Sequence, residues 1–129
     1  IHADNAMAEG LEPFLHAHHD RKKDCLLTML TFKTDTPWSC GIVEIDDHHI
    51  LQGFYEKVAN PPGNRANGAI YAFDPPLLDH IKRMAPPPSD FSTQVIPTLI
   101  GRIQTWHTKH AYLDIGTPEA LALAQQLFK

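Results

Sequence analysis

The sequence predicts a single α/β domain in which a mixed sheet of short strands is flanked by helices. Three observations carry that prediction. Short apolar runs rich in β-branched and aromatic residues alternate with stretches of helical periodicity. The 11 prolines sit almost wholly between those runs, where they act as punctuation rather than as a low-complexity tract. There is no internal repeat and no regular strand–helix–strand alternation, so hairpin connections are expected beside the helices. At 129 residues the chain suits one domain, 1–129, with enough buried surface for a true core.

Residues 9–23 predict the first helix. Pro13 is tolerated in its opening turn, and Leu11, Phe14, Leu15 and Ala17 supply an inward face. The run CLLTMLTFKT, residues 25–34, reads as a mostly buried strand, closed by Asp35-Thr36-Pro37. Residues 41–45 and 50–56 read as two strands of a hairpin turned by Asp46-Asp47-His48-His49. Residues 59–68 are rich in Pro, Gly and Asn and predict a loop, with a strand at 69–73 after it. Residues 77–84 form a short helix with Leu77, Leu78, Ile81 and Met84 on one stripe. Residues 91–100 carry a second helical stripe through Val95, Ile96, Leu99 and Ile100. Strands follow at 103–107 and 111–113. Thr117 then caps a final helix that opens on Pro118 and turns Leu121, Leu123, Ala124 and Leu127 to its apolar side.

Composition narrows the function. Hydrophobic residues make up 43% and charged residues 20%, which argues against disorder. The net charge of −4 offers no basic excess for a nucleic-acid backbone. No apolar run approaches a membrane span, so neither nucleic acid nor membrane is an expected partner. Two cysteines, Cys25 and Cys40, are too few for a disulfide framework, and a cytoplasmic location is the expectation. Residue 1 is Ile, which is not a natural start, so the sequence reads as part of a longer chain.

Several residues carry chemistry at strand ends. Asp4 is read as following a strand whose body lies upstream, and Asp114 closes Ala111-Tyr112-Leu113. Two carboxylates meeting beyond strand ends suit Mg²⁺, and the plain alternative is that each caps a turn. Glu56-Lys57 leaves an apolar strand with a carboxylate for sugar hydroxyls and an ammonium for a phosphate, or else is a solvated strand end. Asn67 can donate to and accept from a polyol, or simply make an Asn-Gly turn. Gly41 can bare a backbone amide to a ligand or merely relax a turn. The nine histidines raise a zinc-binding alternative, weakened because His48 and His49 are adjacent and no third ligand joins His16 and His19.

Taken in order, Ala3-Asp4-Asn5, Cys40-Gly41-Ile42-Val43-Glu44, Glu56-Lys57, Ala66-Asn67-Gly68-Ala69-Ile70-Tyr71, Phe91-Ser92-Thr93-Gln94-Val95-Ile96-Pro97 and Asp114-Ile115-Gly116-Thr117-Pro118-Glu119 resemble the sugar-1-phosphate nucleotidyltransferases. Within them the chain is most similar to the mannose-1-phosphate guanylyltransferase branch. The resemblance implies a Rossmann-like, GT-A-like fold of which this is the C-terminal, sugar- and metal-binding portion. It implies an enzyme that joins an NTP, GTP favoured, to a sugar 1-phosphate and releases pyrophosphate. Residue by residue, it implies that Asp4 and Asp114 bind Mg²⁺ and that Glu56 binds the sugar. Lys57 would contact the sugar phosphate, with Gly41 and Asn67 lining the sugar pocket. Asp4, Asp114 and Lys57 would then be the catalytic set.

The family's Gly-rich triphosphate signature is not among these residues, so this stretch alone is expected to be inactive. It is also expected to expose a sheet edge through which two copies could pair. The alternative is a non-catalytic nucleotide-sugar-binding or assembly module. The base, the sugar and the oligomeric state are not readable here.

Overall fold

The protein was analysed as a computed structural model that describes residues 5–7, 10–110, 112–114 and 117–128. In chain order these form β1 (Asn5–Met7), α1 (Glu12–His19), β2 (Leu27–Lys33), β3 (Gly41–Ile45), β4 (Leu51–Glu56), β5 (Arg65–Phe73), α2 (Pro75–Lys82), β6 (Ile103–His107), β7 (Tyr112–Asp114) and α3 (Pro118–Leu127). Five strands make one sheet in the order β4-β3-β5-β2-β6, and β1 and β7 make a separate two-stranded ladder. β2 and β6 are parallel, while the other pairings are antiparallel. This is the mixed α/β sheet the sequence predicts.

β2 explains why its sequence is a run rather than an alternation. Leu27 and Met29 enter one core with Val43, Leu51, Leu77, Leu99 and Ile103. Leu30, one step out of phase, enters a second core on the other face with Phe14, Ile70 and Tyr112. A strand covered on both faces has no solvent side to reserve for polar residues. Its threonines are admitted because each finds a partner: Thr28 Oγ1 lies 2.7 Å from His18 Nδ1, and Thr31 Oγ1 lies 3.0 Å from His107 Nδ1.

The predicted hairpin forms as β3 and β4, and its tip folds back onto β6. Asp46 Oδ1 accepts from the backbone N–H groups of His48 and Ile50, which closes the turn. Ile50 then bridges Gln104, and Thr105 donates its backbone N–H to His49 O. The sheet therefore curls nearly back on itself and leaves its other end open around the start of β3.

Other elements depart from expectation. α1 spans only Glu12–His19, and of its proposed inward residues Phe14 alone is buried, with Leu11 and Leu15 exposed. In α2, Leu77 is buried but Leu78 points to solvent. Residues 91–100 do not form one helix: a π-type turn at Phe91–Val95 passes into a 3-10 turn at Ile96–Leu99. Pro97 lacks the N–H that a continuous α-helix would need there. Thr117 caps α3 as expected, accepting from the Ala120 N–H at 3.1 Å. Only Ala124 of that helix is buried, and Leu121, Leu123 and Leu127 are exposed.

The largest correction concerns β5. It begins at Arg65, inside what reads as a loop, so Asn67-Gly68 lies within a strand rather than in a turn before one. Asn67 pairs with Thr31 and Tyr71 with Met29, so four steps on β5 pass two on β2. The two extra residues make a bulge around Ala69, whose φ is 56°.

Candidate functional site

The bulge, the start of β3 and the end of β4 enclose a cavity of about 250 Å³. Gly41, Glu56, Lys57 and Asn67 all line it, together with Phe32, Ser92 and Tyr112. Four positions scattered over the sequence are thus brought to one concave surface.

Each is positioned by the backbone for a physical reason. Gly41 and Glu56 are directly opposed on β3 and β4. A β-carbon at position 41 would stand 2.6 Å from Phe54 Cζ and 2.9 Å from Glu56 Oε2. Glycine is therefore what lets the Glu56 carboxylate lie across the β3 backbone, which is a closer approach than a relaxed turn requires. Lys57 donates its backbone N–H to Cys40 O at 3.0 Å and then turns out of the strand at φ 52°. That left-handed step is uncommon for a residue with a side chain.

Asn67 is held at both ends of its carboxamide. Its Oδ1 accepts from the Ala69 N–H at 2.9 Å, and its Nδ2 donates to Tyr71 Oη at 2.7 Å. On a straight strand Cα atoms four residues apart are separated by roughly 13 Å, so the bulge is what lets these side chains meet. Gly68 beside it is packed, not turning: a β-carbon there would meet Leu30 Cδ2 at 2.7 Å. The Gly68 carbonyl accepts from the Tyr112 hydroxyl, which ties β7 to the bulge.

The electrostatics are mixed within a small space. Burial pushes the Glu56 carboxyl above the usual carboxylate range; Asp90 adds to the rise and Lys57 opposes it. Burial likewise raises the Tyr71 phenol. An acceptor carboxylate, a mobile ammonium and an amide donor around one cavity suit a polyhydroxylated anion such as a sugar phosphate.

The two aspartates stand differently. Asp4 lies outside the described residues. The strand described beside it in the chain is β1, Asn5–Met7. Asp114 is the last residue of β7, where its backbone pairs with Asn5, the neighbour of Asp4 in the chain. The first and last strands therefore meet at one ladder, in which Asp114 lies two residues beyond Tyr112 of the cavity. Among the described residues, no three His, Cys, Asp or Glu side chains converge on a metal position. His18 is occupied in packing, against Thr28 on one side and 3.5 Å from Asp74 on the other.

At least four cavities are larger: one of about 390 Å³ beside α1, one of about 320 Å³ that adjoins the site through Phe32, Ser39, Cys40 and Tyr112, and two of about 430 Å³. One of the last two sits beneath Met84 to Pro88 with no ionisable group in its wall. The other lies between the end of β6 and α3 and has Asp35 as its only carboxylate. None of the four gathers the residues that the motifs single out.

Reading the sequence alone misses Tyr71, Ser92, Phe32 and Tyr112. Tyr112 carries a usable signal, because it precedes Asp114 by two on one strand. The contact from Asn67 to Tyr71 carries none, since it exists only through the bulge.

Comparison with known proteins shows the family and the fold. The family model for nucleotidyl transferases matches residues 1–129. Mannose-1-phosphate guanyltransferase of Schizosaccharomyces pombe is 26% identical over 96 residues, which is 71% of this chain and 26% of that protein. A Bradyrhizobium diazoefficiens glucose-1-phosphate adenylyltransferase is 33% identical over 100 residues, covering 69% of this chain and 24% of its own. In fold, the chain matches a glucose-1-phosphate thymidylyltransferase from Bacillus anthracis, solved with sucrose, at a TM-score of 0.80 and 21% identity. That match covers 97% of this chain and 51% of the other. The chain thus spans about a quarter of these curated relatives and about half of the solved one.

Proposed function

The chain belongs to the nucleotidyl transferase family, and from that premise we propose that it forms the sugar-phosphate and metal side of an enzyme that joins an NTP to a sugar 1-phosphate. The observation that carries this reading is the convergence of Glu56, Lys57 and Asn67 on one cavity over Gly41. In the reaction, a phosphate oxygen of the sugar 1-phosphate attacks the α-phosphorus of the NTP. A new P–O bond forms as the bond to the pyrophosphate oxygen breaks, giving an NDP-sugar and pyrophosphate.

Each residue has a task in that scheme. Glu56 accepts from sugar hydroxyls, and its partial burial makes an unmet carboxylate costly enough to discriminate. Lys57, swung out of β4 by its left-handed backbone, meets the attacking phosphate as a point charge. Asn67 donates an amide proton to a sugar oxygen, and Gly41 leaves the room in which Glu56 lies. Such transfers rest on positioning and charge neutralisation more than on covalent help.

In this proposal Asp114 of β7 and Asp4, which precedes β1 in the sequence, would supply the hard-oxygen ligands that suit Mg²⁺. Bound there, Mg²⁺ would neutralise phosphate charge. The pattern of relatives favours mannose 1-phosphate with GTP. Without the Gly-rich triphosphate signature, the 129 residues alone are inactive in this proposal. The two free thiols, Cys25 and Cys40, support a cytoplasmic setting. No helix among the described residues is long and apolar enough to cross a membrane. The outer edge of β4 is the surface through which two copies would pair.

The test is pyrophosphate release by the full-length protein with Mg²⁺, each common NTP, and mannose or glucose 1-phosphate. Turnover is expected, with Lys57→Ala raising KM for the sugar phosphate by about 10- to 100-fold, the worth of one charge-assisted contact. Tight binding of an NDP-sugar without turnover by any NTP would mean a sensing module instead. Absence of both overturns the reading.

A further inference from the structure

Tyr71 is not in the cavity wall; it lies behind it, half-buried, with the Phe91 ring packed 4.7 Å from its own. Its hydroxyl receives Asn67 Nδ2 at 2.7 Å. The backbone N–H of Ala69 can only donate, so the carboxamide atom facing it at 2.9 Å must be the oxygen. That assignment fixes the other atom, turned to Tyr71, as the NH₂ group. With Oδ1 engaged by Ala69 and one Nδ2 proton engaged by Tyr71, a flip would lose the Ala69 bond, because the Ala69 N–H can only donate whereas the Tyr71 hydroxyl can donate or accept.

We propose that Tyr71 is a positioning residue that holds Asn67, already oriented by the Ala69 N–H, as a hydrogen-bond donor to the cavity, so the pocket selects a substrate with an acceptor oxygen at that point. This rests on the sugar-phosphate reading of the cavity and adds to it the polarity of one subsite. Without the Tyr71 contact the carboxamide would be held by Ala69 alone, and its donor would be less well aimed at the cavity. Ser92, which lines the cavity, is a second hydrogen-bonding neighbour of the Tyr71 oxygen. The lock is thus joined to the turn at Phe91–Val95 as well as to the bulge.

The experiment is a double-mutant cycle in the full-length protein with Tyr71→Phe, Asn67→Ser and the pair. Serine keeps an acceptor for the Ala69 N–H, so the bulge persists while the amide donor is lost. Each single change is expected to raise KM for the sugar 1-phosphate by about 3- to 10-fold, with kcat held within about twofold. The pair should be no worse than Asn67→Ser alone. Multiplying effects, or a Tyr71→Phe enzyme with unchanged KM, overturn the proposal.

A second readout does not depend on turnover. In ¹⁵N NMR, the two Asn67 side-chain amide protons should be widely separated and exchange slowly in the wild type. In Tyr71→Phe the Nδ2 proton that faced Tyr71 should move toward its free-amide shift and lose its slow exchange. If no sugar phosphate is turned over but the amide pair behaves in this way, the lock stands and the assigned reaction falls. If both protons already show free-amide shifts and fast exchange in the wild type, the lock falls whatever the reaction.

Discussion

The wall that carries Gly41, Glu56 and Asn67 and the ladder that carries Asp114 are built to different standards. The wall is part of a five-stranded sheet with a core on each face, and its positions are fixed by a buried glycine contact and a doubly held carboxamide. The ladder has two strands of three residues, and the helix after it buries only Ala124. On the proposed reading, recognition of the sugar is anchored in this chain's own core. The proposed metal side hangs on the short antiparallel pairing of β1 with β7.

That contrast can be broken or sharpened by experiment. The largest effect is expected at the thin side: Asp114→Ala should lower pyrophosphate release by on the order of a hundredfold or more, as removal of one focused charge partner does elsewhere. Intact release with Mg²⁺ would remove Asp114 from the metal set. Stability should show the opposite ranking. Leu99→Ala, in the fully buried core, should cost about 2–5 kcal/mol, whereas Leu123→Ala on exposed α3 should stay within about 0.5 kcal/mol. Urea unfolding of both variants checks this, and equal losses would mean that α3 is covered after all.

Gly41→Ala tests the wall itself. Its new methyl must displace the Phe54 ring and the Glu56 carboxylate, which should cost about 1–3 kcal/mol and weaken sugar-phosphate binding in the same variant. A stable Gly41→Ala protein with unchanged KM would show that Glu56 need not lie where it does.

The smallest effect is a pH dependence. With its carboxyl held above the ordinary range by burial, folded Glu56 keeps a proton that the unfolded chain has already released. The wild type therefore loses a little stability as pH rises from the unfolded value through the raised folded one. Glu56→Gln is blind to that window. Its melting temperature relative to wild type should be level in acid, climb across the window and level off above it. A difference constant with pH contradicts the assignment.

How much of this was legible beforehand depended on how local the cause was. Gly41–Ile45 and Ile103–His107 read correctly because turn residues and polar neighbours bound them on each side. Thr117 read correctly because a cap needs only its own helix. Asn67-Gly68 misled because its strand conformation depends on Leu30 and Tyr112, both distant in sequence. The leucines of α3 show an apolar pattern, but a pattern does not say what will cover it. Gly41, Glu56, Lys57 and Asn67 were each ambiguous alone; strand pairing across β3, β4 and β5 is what gathers them.

The bulge in β5 has one more implication. Its two surplus residues are an even number, so side chains on either side keep their alternation and the rest of the strand stays in register with β2. A version of this sheet without Gly68 and Ala69 would be an ordinary ladder with its core intact and no carboxamide turned toward the cavity. Substrate choice in such a protein is carried by a small length variation in one strand rather than by the architecture. Related chains could therefore exchange one ligand for another by resizing that detour, without disturbing the sheet that supports it.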